Sequence, residues 1–248
     1  MSHAMYWLEV DGDRTGLDVV VNGFPVDRMM RSHGGRLPIN EFLRPGDNAV
    51  ELRRGLWASN KEDSEAGEAS LKLVEVRYAN TVKLDERVLV EETRGFASCA
   101  ARTVLAAAGF RADEAPAPPL AGGFDPVGPA ERERILDRLE QVAGYWRNGN
   151  GQAIVDWMRP YLRDYVASYA LETQAAMEQR IQRMAEAFAR DRAEFDRGQT
   201  LLDPVPGTNL VDCLGPRGAA VRVARAGGPD YDMWAVVGVR GGEVVLVR

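Results

Sequence analysis

The sequence predicts an α+β protein: an N-terminal antiparallel β-sandwich, then a helical segment, then a C-terminal antiparallel four-stranded meander. Three observations carry that reading. The N-terminal part is cut into short apolar runs by turn dipeptides, Asn22-Gly23 and Pro45-Gly46 foremost. Between Gly128-Pro129 and Arg197 the apolar residues recur at helical spacing. Beyond Pro206-Gly207, apolar runs alternate with Gly215-Pro216, Gly227-Gly228-Pro229 and Gly241-Gly242, each a turn signal. The expected division is a β-sandwich over residues 1–112, a Pro/Gly-rich linker over 113–129, and an α+β domain over 130–248. Within the last, helices are expected across 130–198 and strands across 208–248.

Residues 6–10 read as a first strand, closed by Asp11-Gly12-Asp13 and Gly16. Residues 17–21 and 24–28 form a hairpin about Asn22-Gly23, because a type I′ turn needs positive φ at both central positions. Pro45-Gly46 suits a type II turn, proline pre-setting φ and glycine supplying the positive φ that follows. Val50 and Leu52 then alternate with Glu51 and Arg53, as in a strand with one wet face. Residues 61–68 are apolar-poor and read as an exposed loop. In the strand at 71–78 the apolar phase slips between Leu73 and Val74, which predicts a bulge or burial on both faces. Residues 87–91 complete the set. The alanine-rich stretch 96–110 reads as a short helix ended by Gly109.

Asp18-Val19-Val20-Val21-Asn22-Gly23, the Gly34-Gly35 loop and Leu43-Arg44-Pro45-Gly46-Asp47-Asn48-Ala49-Val50 together resemble a known pattern. It is that of the galactose-binding-like jelly-roll domain of beta-galactosidase-type glycoside hydrolases. The resemblance implies a jelly-roll-like sandwich and makes carbohydrate a candidate ligand, with Trp7 and Trp57 as stacking platforms. It implies no glycosidase activity, because the catalytic glutamates of that family lie on a barrel for which this chain has no room.

In the second half, Ile135, Leu136, Leu139, Val142, Ala143 and Trp146 share one helical face, and Asn148-Gly149-Asn150-Gly151 stops that helix. Ile154, Val155 and Met158 restart the pattern up to Pro160, where the helix is expected to end or kink. Residues 161–197 hold neither glycine nor proline, and the shifting apolar phase favours a break near Glu172-Thr173. The order of helices followed by sheet is similar in outline to nuclear-transport-factor-2-like domains.

Composition narrows the function. A formal net charge of −6 repels a phosphate backbone, so nucleic acid is not an expected partner. No run approaches the roughly 18 apolar residues that span a bilayer, so no membrane partner is expected. The N-terminal residues lack the basic start and apolar core of a secretory leader, so the expected compartment is the cytoplasm, or the periplasm if a leader has been removed. Two cysteines, Cys99 and Cys213, are too few for a disulfide framework. Histidine is confined to His3 and His33, which leaves His33 as the one credible base for a nucleophilic pair. Asp11-x-Asp13-x-Thr15-Gly16 matches half a calcium loop, but Asn22 stands where a bidentate glutamate is required. No catalytic residue, metal ligand or cofactor is assigned.

Trp146, Trp157, Tyr161, Tyr165 and Tyr169 are the candidate binding residues. The three tyrosines recur every four positions and form one helical stripe, either a recognition face or a helix–helix core with tyrosine tips at its edge. The leading expectation is a non-catalytic binding or interaction protein, an inhibitor or adaptor of a neighbouring gene product, with a protein partner or self-association. The alternatives are carbohydrate binding by the sandwich and an enzyme with a small-molecule pocket in the C-terminal domain.

Overall fold

The computed structural model describes residues 2–12, 16–29, 35–55, 66–79, 82–97, 99–113, 123–169, 172–189, 191–216, 218–225 and 230–248. His33, Trp57 and the central residues of the calcium-like loop lie outside them. The chain forms two compact units, Met1–Pro118 and Pro119–Arg248. No helix among the described residues is long and apolar enough to cross a membrane.

The first unit holds eight strands: β1 (Ser2–Gly12), β2 (Leu17–Val21), β3 (Phe24–Met29), β4 (Gly35–Pro38), β5 (Gly46–Arg54), β6 (Gly67–Ala79), β7 (Val82–Phe96) and β8 (Val104–Ala112). They form two four-stranded antiparallel sheets, β4-β1-β6-β7 and β3-β2-β5-β8. Asn22 and Gly23 sit at φ 53° and 81°, the positive pair that a type I′ hairpin needs, and Gly46 sits at φ 93°.

The Asn22-Gly23 hairpin and the Pro45-Gly46 turn meet in space. The Asn48 amide donates to the carbonyls of Arg44 (2.9 Å) and Gly46 (2.8 Å), and its oxygen accepts from the Arg44 N–H (3.0 Å) and from Asn22 Nδ2 (2.7 Å). Asn22 also donates to the Phe42 carbonyl and accepts from the Ala49 N–H. One amide therefore closes the Pro-Gly turn while the other ties it to the hairpin. The motif holds two turns together.

Two features depart from expectation or resolve it. The alanine-rich stretch is the strand β8, not a helix: it pairs with β5 from Gly46↔Ala112 to Arg53↔Val104. Alanine favours helix locally, but the edge of β5 offers a full row of backbone partners, and tertiary pairing outweighs propensity. The phase slip in β6 has both anticipated causes. Leu71, Leu73, Val74 and Val76 are all buried. Partner strand β7 carries an extra residue at Leu89, between Leu73↔Val90 and Val74↔Val88, and another at Leu84, between Arg77↔Asp85 and Tyr78↔Lys83.

The second unit begins with α1 (Pro129–Arg147), α2 (Gly151–Tyr169) and α3 (Gln174–Phe188). Glu131 accepts the Gly128 N–H at the start of α1, and Thr173 Oγ1 accepts the Ala176 N–H at the start of α3. The chain thus breaks between α2 and α3. Pro160 lies inside α2, which continues through it; it forgoes one helical hydrogen bond on a helix that Ile154, Val155, Met158 and Leu162 anchor in the core.

Helical structure ends at Phe188, not at 198. Seven strands follow: β9 (Arg192–Glu194), β10 (Leu201–Pro204), β11 (Leu210–Leu214), β12 (Val221–Ala224), β13 (Tyr231–Met233), β14 (Ala235–Arg240) and β15 (Glu243–Leu246). They form two antiparallel sheets, β10-β11-β14-β15 and β13-β12-β9, and not one four-stranded meander. The early strands explain the difference: β9 pairs with β12 and draws β12 and β13 into a sheet of their own, leaving β11 to pair with β14. The core joins Ile135, Leu139 and Trp146 of α1 to Met177 and Ile181 of α3 and to Val221, Val223 and Val237 of the strands.

The end of the predicted linker is laid on β14. Asp125 donates its N–H to the Val239 carbonyl (2.7 Å), and the Arg240 guanidinium covers the Phe124 ring at 4.6 Å. Gly238 permits this, since a Cβ there would stand 2.3 Å from Phe124 Cδ1.

Candidate functional site

The aromatic stripe turns largely inward. Trp146 is fully buried against Phe188 and Tyr231, and Trp157 and Tyr169 are buried as well. Tyr161, Tyr165 and Tyr169 contact one another in sequence, at 5.8 and 4.6 Å between ring centroids, as their four-residue spacing requires. Tyr161 and Tyr165 are half-buried and pack against the core, so of the five only these two reach the surface. The carboxylates nearby are engaged by arginines: Asp156 with Arg159 (2.8 Å), Asp164 with Arg163 (3.2 Å) and Glu172 with Arg180 (2.8 Å). Cys213 is buried and Cys99 half-buried, and neither forms a disulfide. No group of three or more His, Cys, Asp or Glu is arranged to hold a metal among the described residues.

A concavity elsewhere in the second unit encloses a cavity of about 820 Å³. Four arginines line it, each from a different element: Arg147 from the last turn of α1, Arg192 from β9, Arg197 from the β9–β10 loop and Arg222 from β12. Its apolar wall is made by Ala193, Phe195, Pro216, Ala219 and Ala220. Such a volume suits a small molecule, for which pockets run from roughly 300 to 1,000 Å³.

The four cations are not equivalent. Arg197 is clamped by three carboxylates of α1, Glu133 (2.5 Å), Asp137 (2.7 Å) and Glu140 (3.7 Å). Hydrogen bonds to Asp137 and Glu133 raise its pKa above the ordinary arginine value. This clamp fastens the cavity-forming loop to α1, and an Asp196 turn, with Oδ1 accepting the Gln199 N–H, stiffens the loop from within. Arg192 pairs with Glu194 on its own strand (3.2 Å) in open solvent. Arg222 Nη2 donates to Asp230, but its buried Nε–H has no hydrogen-bond acceptor, Asp232 lying 3.9 Å away. Arg147 has no carboxylate within ion-pair distance among the described residues, and it sits at the negative end of the α1 dipole. None of the four arginines was singled out by sequence reasoning. They span residues 147 to 222 with no fixed spacing, so no local signal marks them.

A second, smaller concavity of about 390 Å³ lies on one face of the β4-β1-β6-β7 sheet. Across its floor, Arg36, Glu9, Lys72 and Glu91 stand opposite one another on successive strands, alternating in sign. Glu9 lies 3.5 Å from Arg36 and 3.6 Å from Lys72. Trp7 borders this row on the same face, its ring covered by the Arg36 guanidinium at 5.0 Å and its buried indole N–H without an acceptor.

Comparison with known proteins returned no matching family model, no similar curated protein and no similar solved structure.

Proposed function

We propose that this is a binding protein whose ligand is a small molecule held in the cavity of the second unit. The observation behind the reading is the cavity itself: about 820 Å³, with walls drawn from α1, β9, β12 and a loop fastened to α1 through Arg197. Side chains on stiff elements hold a ligand at low entropic cost, the general requirement for a preformed site. Gly198 lies in that wall, and a Cβ there would meet only Asp196 Oδ1, at 3.6 Å. Gly198→Trp is therefore expected to fill the cavity without unfolding the protein. In a fragment screen read by saturation-transfer NMR, the wild type should give hits that this variant loses. Hits retained equally by both proteins would place the ligand elsewhere and end the reading.

For the first unit we propose a jelly roll, with the strand order as support. If the strands are counted as a ring starting at β7, the sheets read first–eighth–third–sixth and second–seventh–fourth–fifth. That is the order of two interlocked Greek keys, opened between a different pair of strands. A second binding reading, a carbohydrate on the outer face of this unit, draws on the Arg36–Glu9–Lys72–Glu91 row beside Trp7, where donors and acceptors alternate next to an aromatic edge. A glycan array probed with the intact chain checks it, and an empty array would remove it.

A further inference from the structure

Resting on the cavity reading above, we infer that the ligand is a small organic anion, a carboxylate or phosphate on an apolar body, received by Arg147 and Arg222. The inference comes from how the four arginines divide the available counter-charge. Arg197 is saturated by three α1 carboxylates, none of which lines the cavity, and it serves to hold the loop. Arg192 is four-fifths exposed and leans on Glu194 at the rim. Arg222 differs from both: Asp230 holds its Nη2 end and Asp232 lies 3.9 Å from its Nε, so two carboxylates fix a side chain that is only 22% exposed and lines the cavity.

Arg147, also on the lining, is the one cavity arginine without a carboxylate partner among the described residues. Two cationic groups on one concave wall, one fixed and one unneutralised, suit an oxyanion, which guanidinium binds through paired N–H donors. The lining carboxylates do not cancel this. Glu194 is turned toward Arg192, and Asp196 is engaged with its own loop backbone. The apolar stretch from Ala193 through Phe195 to Ala219 and Ala220 receives the rest of the ligand.

The test uses the intact chain and the fluorescent probe anilinonaphthalene sulfonate, an anion on an apolar body. Saturable enhancement is expected in the wild type, reversed by phenyl phosphate or benzoate and not by neutral benzamide; the more effective competitor tells phosphate from carboxylate. Arg222→Gln and Arg147→Glu should each weaken the probe at least tenfold, while Arg94→Glu, in the other unit, leaves it unchanged. Circular dichroism and melting curves confirm folding, and Arg222→Lys, which keeps charge but loses the planar fork, should recover only part of the affinity. Probe binding lost in Gly198→Trp but indifferent to both arginine variants, or displaced equally by benzamide, would overturn the anion inference and leave the cavity reading standing. Binding that survives Gly198→Trp, or no saturable binding at all, would overturn both.

Discussion

Asn22, Asn40 and Asn48 of the first unit spend their amides on the backbone and on one another, whereas Arg147 and Arg222 of the second unit line a cavity. Asn40 accepts the Tyr6 N–H (2.7 Å) and donates to the Ala4 carbonyl (2.8 Å), standing in for a strand that is not there. Two buried charges in that unit are also paired. Glu75 lies between Arg77 (2.9 Å) and Arg87 (2.7 Å), and Arg28 lies beside Asp18 (3.5 Å). The difference teaches where to look for function. A buried polar group used by the fold leaves little for a ligand, and a cation on a cavity wall with no carboxylate beside it leaves a great deal.

The largest expected effect comes from Trp146, which tests whether the predicted aromatic set is core or recognition surface. It is fully buried against Phe188 and Tyr231, so Trp146→Ala should cost about 3–5 kcal/mol in urea denaturation. A cost below about 0.5 kcal/mol, the usual range for a surface position, would return the residue to the interface reading. Asn48→Ala comes next. It removes four hydrogen bonds and strands the Arg44 N–H and two carbonyls, for an expected loss of about 2–3 kcal/mol. If the variant is as stable as wild type, the turn network is not what holds the first unit's hairpins together.

The smallest effect is a pH dependence in the second unit. Burial raises the Tyr231 pKa above its ordinary value of 10.0. The folded state therefore prefers the neutral phenol, so this contribution is complete below the ordinary pKa and is lost as pH rises toward the folded value. Melting temperature measured upward from pH ~9 should fall more steeply in wild type than in Tyr231→Phe. Parallel curves would show that the phenol is not the group being titrated.

Much of the first unit was legible because its signals are local. Asn22-Gly23 and Pro45-Gly46 dictate backbone dihedrals within the dipeptide itself, and the slip between Leu73 and Val74 announced the irregular pairing with β7. Its alanine-rich strand was not legible, because Ala106, Ala107 and Ala108 have a helical preference that only the waiting edge of β5 overrides. In the second unit the helices were legible from spacing. The split of the strands into two sheets was not, since it depends on β9, three residues long, pairing with β12. The candidate site was the least legible part. The predicted aromatics were conspicuous in composition and went mostly to the core, while the cavity drew on arginines indistinguishable in sequence from any solvated ones.

By itself the sequence determined the turns, the helix starts at Gly128-Pro129 and Thr173, and the periodic faces that must be buried, because φ/ψ restrictions and apolar spacing act between near neighbours. Only the tertiary structure decided which strands share a sheet, and which arginines meet carboxylates while others are left facing open volume. Those outcomes depend on pairings between residues as distant as Arg197 and Glu133, or Arg222 and Glu194, where no local rule reaches.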